Sequence, residues 1–378
     1  MAGVMTGGVR SRGGSAERVL VVNAGSSSLK LSVLDLDDAV VEKHEIDHWD
    51  DGDASVLHEV AGSWSFDAVG HRVVHGAEMT EPVVVDDAVR GQIEALTSLA
   101  PLHQPRALAG IDATRKAFGD VPSVACFDTA FHGTMPAAAA TYAVPAAWRE
   151  RWPLRRFGFH GLSHAYAARR TAALVGRPVE ELRIVTCHLG AGASLCAVSG
   201  GRSVDTTMGF TPLEGLVMAT RSGTVDPGMV LWLLREGGLS ADEVNDALEH
   251  DSGIKALAGT SDQAEVLGRA EAGDEVAVAA VDVYVHRLVR EMGAMVASLG
   301  GVDAIAFTGG VGENAALVRE RAVFGLGFTG ARISASANES PELDSLVHDT
   351  ESSVAVAVVE AREDVEIARL VREVTRKG

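Results

Sequence analysis

Cysteine is scarce in this chain of 378 residues: Cys126, Cys187 and Cys196 make an odd count with no C-x-x-C pair. That argues against a disulfide framework and reads as reduced, buried thiols in a cytoplasmic protein. Long hydrophobic runs are missing too, since none approaches the roughly 18 residues of a membrane span. Residues 1–17 are rich in Gly and Ser, with Arg10 and Arg12, and lack the apolar core of a secretory signal. They read as a flexible N-terminal tail. Positive charge is short: 33 Lys+Arg stand against 52 Asp+Glu, for a formal net charge of −19. This excludes nucleic acid as a main partner, because phosphate backbones reward an excess of Lys and Arg. A small anion can still be bound where a few basic groups converge. Proline is sparse, with 11 residues, whereas glycine is abundant, with 41. Apolar residues make up 47% and charged residues 22%, an ordinary soluble globular composition, and the length fits about two domains.

The glycines follow short β-branched runs. Val19–Val22 is an apolar strand signal, then come Asn23-Ala24-Gly25-Ser26-Ser27-Ser28 and an alternating second strand over Leu29–Asp35. The same order recurs at Ile184–Cys187, His188-Leu189-Gly190-Ala191-Gly192-Ala193-Ser194 and Leu195–Val198. Gly25 and Gly190 share a register at a spacing near half the chain, which points to duplication of one domain design. Further on, Ala270–Leu299 is helix-periodic, and Val302–Phe307 is a strand leading into Thr308-Gly309-Gly310-Val311-Gly312-Glu313-Asn314. Helical periodicity over Ala315–Phe324, a strand over Ser353–Val359 and an amphipathic helix over Glu363–Arg376 follow. Such alternation predicts an α/β fold of two similar lobes around a cleft.

Gly/Ser turns between strands aim several backbone N–H groups one way and so cradle anions. Asn23–Ser28 with Lys30 therefore reads as a phosphate clasp, against the plainer reading of a polar hairpin. Gly310-x-Gly312-x-x-Ala315 imitates a dinucleotide fingerprint but lacks the acidic residue about 20 positions on, so hydride transfer is rejected. Thirteen histidines include i, i+4 pairs at His71/His75 and His160/His164, neither carrying the Glu of H-E-x-x-H, so a zinc site is disfavoured. Four segments, around His71–His75, His103, His132 and His160, set polar or cationic groups among Gly, Pro or aromatics, which favours one shared site. Arg221, flanked by small residues, is a partly buried guanidinium that needs an anion, or else a bridge to Asp226 or Glu214.

In order along the chain stand VLVVNAGSSSLK, GHRVVHG, APLH, FDTAFH, FGFHGLSH, CHLGAGAS, SVDTTMGFTPLEGL, TRSGTVDPG and FTGGVGEN. This series resembles the acetate kinase family, in the acetate and sugar kinase/heat-shock chaperone/actin superfamily, over Val19 to Arg376. The resemblance implies two duplicated ribonuclease H-like lobes, each a mixed sheet with flanking helices, around a central active-site cleft. Residues 18–132 plus 365–378 would form the N-terminal lobe and 133–364 the C-terminal lobe with the nucleotide site. It implies reversible phosphoryl transfer from ATP to acetate with Mg2+ or Mn2+, in a homodimer. By position, Arg72 and Arg221 match the arginines that bind carboxyl and phosphoryl groups, His160 the donor to the transferring phosphoryl, and Asp128 the aspartate near the substrate carboxylate. Asn23 and Glu363 match the magnesium-linked residues. Val74, Leu102, Phe159 and Pro212, with His103 in support, match the pocket for the acetate methyl. Gly309 and Gly310 match the adenosine turn, and Lys30, His188, Gly190, Gly192, Asp262 and Asn314 fall in the nucleotide-binding segments. Two departures stand out. Ala191 replaces the family's usual Asn, and Gln263-Ala264-Glu265 follows Asp262 where an arginine is common. A propionate-preferring short-chain carboxylate kinase is the alternative, followed by a non-catalytic actin/chaperone-like nucleotide-binding clamp.

Overall fold

The computed structural model describes residues 16–25, 28–47, 49, 54–101, 103–119 and 121–377. The expected N-terminal tail lies outside these residues except for its last two positions. Strands β1 (Val19–Ala24), β2 (Ser28–Leu34) and β3 (Val40–Asp47) form an antiparallel meander. Strands β4 (Ala68–Val73) and β6 (Ser123–Phe127) extend it in parallel from β1, and the two-residue β5 (Val83–Val84) closes the edge antiparallel to β6. The sheet order is β3-β2-β1-β4-β6-β5.

The second sheet repeats the plan. An antiparallel meander of β7 (Arg183–Leu189), β8 (Ala193–Ser199) and β9 (Arg202–Thr206) is joined in parallel by β10 (Ala304–Thr308) and β12 (Ala355–Val358). The two-residue β11 (Ser345–Leu346) again caps the edge antiparallel, giving β11-β12-β10-β7-β8-β9. The duplicated Gly hairpins of the sequence are β1–β2 and β7–β8. The inner strands β6 and β10 are buried at every position, as expected of parallel strands covered by helices on both faces.

Helix Gln104–Phe118 packs on β1 and β4, and the closing helix Glu363–Lys377 also packs on β1 and β4 and reaches β6. Its Ile367, Ala368 and Val371 join Val19, Val21, Ala68 and Val124 in one apolar cluster. Gly70 of β4 lets it come that close: a Cβ there would sit 2.5 Å from Ile367 Cγ2 and 2.7 Å from Val371 Cγ2. On the second sheet, helix Gly161–Val175 covers β7 and β10, while the long helix Glu275–Leu299 packs on β8 and β9. Helices Gly161–Val175 and Glu363–Lys377 pack against each other and so join the lobes.

Three expectations change in detail. The periodic run over Ala270–Leu299 is two helices, Gln263–Glu271 and Glu275–Leu299. Asp274 caps the second by accepting from Val276 N and Ala277 N; the side-chain oxygen gives the chain a new start that apolar periodicity alone does not reveal. The Gly turn after β10 is itself a helical turn, Gly309–Asn314, followed by a separate helix, Ala316–Gly325. The strand over Ser353–Val359 narrows to Ala355–Val358. Among the described residues no helix is long and apolar enough to cross a membrane.

Candidate active site

The carboxyl ends of parallel strands are where open α/β sheets bind ligands, and the polar groups gather there. Arg72 lies near the end of β4, and Asp128 follows β6, its N–H donating to Val73 O at 2.9 Å. Arg72 Nε and Nη2 then grip the Asp128 carboxylate, at 3.1 Å from Nε to Oδ1 and 2.7 Å from Nη2 to Oδ2. Its remaining nitrogen, Nη1, lies 3.4 Å from Glu363 Oε2 at the start of the closing helix. Burial opposes the Arg72 charge, but Asp128 and Glu363 outweigh it and hold its pKa above the usual range. Burial pushes the Asp128 carboxyl up, and Arg72 pulls it only part of the way back.

From the other lobe come His188, near the end of β7, and the loop that carries His160. Gly161 N–H donates to Asp128 O at 2.8 Å, tying this loop to the first lobe. His160 sits just before helix Gly161–Val175 with φ at 57°. Its ring lies 4.3 Å from that of His188, whose Nδ1 is 2.8 Å from Ser163 Oγ. Burial, then the charges of His188, Arg72, His164 and Arg221, push the His160 pKa well down. Burial and Arg72 lower His188 to about 4. His103 precedes helix Gln104–Phe118, and burial, Arg221 and Arg72 lower its pKa in turn, so it senses both arginines.

Arg221 is held differently from either expected bridge. Glu214 is engaged by Arg156 at 2.6 Å and by Tyr142, while Asp226 caps helix Pro227–Arg235 through Gly228 N. The partner is Glu249, 3.0 Å from Arg221 Nε, carried on a segment whose Leu248 O accepts from Ser222 N. No local sequence signal links 220–222 to 248–249. Arg221 Nη1 is 3.4 Å from Pro212 O and 3.6 Å from where a Cβ on Gly192 would be, next to His160 Nε2. Gly190 and Gly192 close this turn through the Gly190 N–H bond to Gly192 O. Val74 packs against the apolar cluster that contains Phe159; Leu102, expected beside them, lies outside the described residues.

The turn after β10 is anchored by a residue to which sequence reasoning gave no role. Glu313 Oε1 accepts from Gly309 N and from Ala361 N, both at 2.9 Å, so the turn and the start of the closing helix share one carboxylate. Gly309 has φ of 79°, and a Cβ there would meet Leu189 O at 2.8 Å, which no L side chain tolerates. Gly310 O accepts from Asn314 Nδ2. Fully buried Arg319 donates to Gly312 O and Glu313 O and braces the same turn. Three predicted residues stand in plainer company. Lys30 is paired with Glu45 at 3.5 Å, Asp262 caps helix Gln263–Glu271, and Asn23 faces Lys30 across the β1–β2 ladder. Ser26 and Ser27 of the expected clasp lie outside the described residues.

The described residues hold no group of three His, Cys, Asp or Glu able to bind a metal by themselves. Asp128 and Glu363, which meet at Arg72, offer hard carboxylate oxygens of the kind that hold magnesium together with substrate phosphates. The arrangement thus gathers cationic and neutral donors from both lobes around one cleft, suited to an anion undergoing transfer. Comparison with known proteins agrees. A model of the acetokinase family matches residues 54–369. An acetate kinase of Streptomyces avermitilis is 45% identical over 396 residues, covering 94% of this chain and 96% of the relative. The crystal structure of Porphyromonas gingivalis acetate kinase superposes with a TM-score of 0.88 at 33% identity, covering 96% of this chain and 100% of the other. A propionate kinase from Francisella tularensis gives 0.87 at 31% identity, covering 94% and 98%. With its twin sheets and this cleft, the chain belongs to the acetokinase family.

Proposed function

We propose that the protein transfers the γ-phosphoryl group of ATP to acetate, giving acetyl phosphate and ADP in one reversible, in-line step. The observation that carries this reading is the convergence of Arg72, forked by Asp128, with His103, His160 and Arg221 between the two lobes. Acetate is already ionised at neutral pH, so no strong base is required. The barrier lies in bringing two anions together and in the charge spread over the transferring oxygens. Asp128 serves as an orienting anion: gripped through two nitrogens, it fixes the plane of Arg72, whose Nη1, 3.4 Å from Glu363, has a second N–H to offer a substrate oxygen. Arg221, braced at Nε by Glu249, offers its outer nitrogens from the opposite lobe. His160 donates to the phosphoryl oxygens, and Val74, Phe159 and Pro212 enclose the methyl group.

Magnesium, or manganese in its place, would be held by Asn23 and Glu363 and would neutralise charge on the nucleotide phosphates. The turn at Gly309 and Gly310 is assigned to adenosine, with Lys30, His188, Gly190, Gly192, Asp262 and Asn314 around the phosphates and nucleoside. Lobes of residues 18–132 plus 365–378 and of 133–364 close over the substrates and exclude water. A cytoplasmic location is supported by three buried, free cysteines. A homodimer is supported by exposed Trp232, Phe324 and Phe328 on the second lobe.

Acyl preference is the open choice, because one methylene in an apolar pocket is worth only about 1–3 kcal/mol and a propionate kinase shares this fold. The deciding assay supplies ATP, magnesium and hydroxylamine with acetate, propionate or butyrate and reads the acyl hydroxamate. Acetate is expected to give the highest kcat/KM. Higher values for propionate move the assignment one carbon along, and no hydroxamate from any acid overturns it.

A further inference from the structure

Behind His160 runs a line of buried side chains that the reaction itself does not use. Thr186 on β7, His164 on helix Gly161–Val175 and Ser194 on β8 are all fully buried. Thr186 Oγ1 is 2.8 Å from His164 Nδ1, His164 Nε2 is 2.8 Å from Ser194 Oγ, and Ser194 Oγ is 2.9 Å from His160 Nδ1. The far nitrogen of His160, Nε2, faces the Gly190–Gly192 turn and Arg221.

Each hydroxyl and each neutral imidazole has one proton to donate, and among the described residues fully buried Ser194 Oγ is bonded to the two rings alone, so its proton goes to one of them and the chain of bonds runs in one of two senses. In the first, Thr186 O–H donates to His164 Nδ1, His164 Nε2–H donates to Ser194 Oγ, and Ser194 O–H donates to His160 Nδ1. The His160 proton then lies on Nε2, turned to the cleft. In the second sense every donor reverses, and His160 offers a bare lone pair to the incoming phosphoryl oxygens, which repels them unless the ring gains a second proton.

Two observations favour the first sense. The second requires the Thr186 proton to go elsewhere, and its other acceptor, Cys196 O, is 3.4 Å away, beyond normal O–H···O reach. A second proton on His160 is opposed by burial and by His188, Arg72, His164 and Arg221 around it. His164 is likewise kept neutral by burial, His132 and His188.

We propose that Thr186, His164 and Ser194 are positioning residues that lock neutral His160 in the Nε2-protonated tautomer, so that it donates to the phosphoryl group without carrying charge. This rests on the phosphoryl-transfer reading for its purpose, but its test does not need activity. Full-length protein labelled with 15N-histidine reports the tautomer of each ring through nitrogen–proton correlations. At neutral pH wild-type His160 is expected as a neutral ring protonated on Nε2, and Ser194→Ala is expected to shift it toward a mixture with the Nδ1 form. Ser194→Ala should also lower kcat by about 10-fold or more, because a ring in the wrong tautomer cannot donate in the transition state, with KM for acetate little changed. A wild-type ring protonated on Nδ1, or on both nitrogens, overturns the proposal, as does an unchanged tautomer in Ser194→Ala. Should Ser194→Ala fail to fold, the wild-type spectrum decides alone. Hydroxamate formation is scored separately, so failure of the kinase reading and failure of this chain of bonds are distinguishable.

Discussion

Arg72 and Arg221 approach the cleft from different lobes, and each has a carboxylate at its Nε: Asp128 for one, Glu249 for the other. A guanidinium held there cannot rotate freely, so its outer nitrogens are set before substrate arrives, at low entropic cost. Arg221→Ala is therefore expected to lower turnover by about 10²–10³, the range for losing one donor from a preorganised site. It leaves Glu249 without its cation, a loss of about 1–3 kcal/mol that urea unfolding would read. Turnover near the wild-type value would remove Arg221 from the mechanism. The motif around Arg221 identified this arginine from sequence because its small neighbours and its match to the family are local. Glu249 stayed hidden because its link to Arg221 depends on backbone pairing between segments far apart in the chain. Glu313 was hidden for another reason: it sits inside a recognised motif, but its role depends on Ala361, brought alongside by the closing helix.

Elements with a strong period were legible. The paired Gly hairpins, the strand before Gly309 and the amphipathic run from Glu363 all appear where periodicity placed them. The edge strands β5 and β11, of two residues each, are too short to carry any period and are defined only by their neighbours. The same limit hid the start at Asp274, a capping event within an unbroken apolar pattern. At this scale the contact most open to test is between β4 and the closing helix. Gly70→Ala places a methyl against Ile367 and Val371, both β-branched and locked in a packed helix. Overpacking of this kind costs about 1–3 kcal/mol, so the urea midpoint is expected to fall. An unchanged midpoint would mean that the helix shifts freely on the sheet.

Across the whole molecule, buried neutral histidines recur in both lobes. Burial lowers His71 to about 3 and His75 and His132 to about 4, and burial with Arg72 lowers His188 to about 4. Their folded pKa values lie below the unfolded value near 6.5, so the unfolded chain binds more protons in between. The stability they contribute is full above about pH 6.5 and is lost as pH falls toward 4, at about 1.4 kcal/mol per pH unit for each group. Unfolding free energies measured from pH 4.5 to 7.5 should rise and then level off; a flat profile would mean that these rings titrate in the fold as they do in the unfolded chain. The lobe junction has a consequence for the order of assembly. Strands β1, β4 and β6 emerge early in synthesis, but the helix that covers their apolar face emerges only after the whole second sheet. Until then Val19, Val21, Ala68 and Val124 lack Ile367, Ala368 and Val371, so the first sheet is fully covered only after the second has been made. Such exposed strands are where newly made chains aggregate, and a chaperone acting on this protein would be needed early, at the half of the chain made first and finished last.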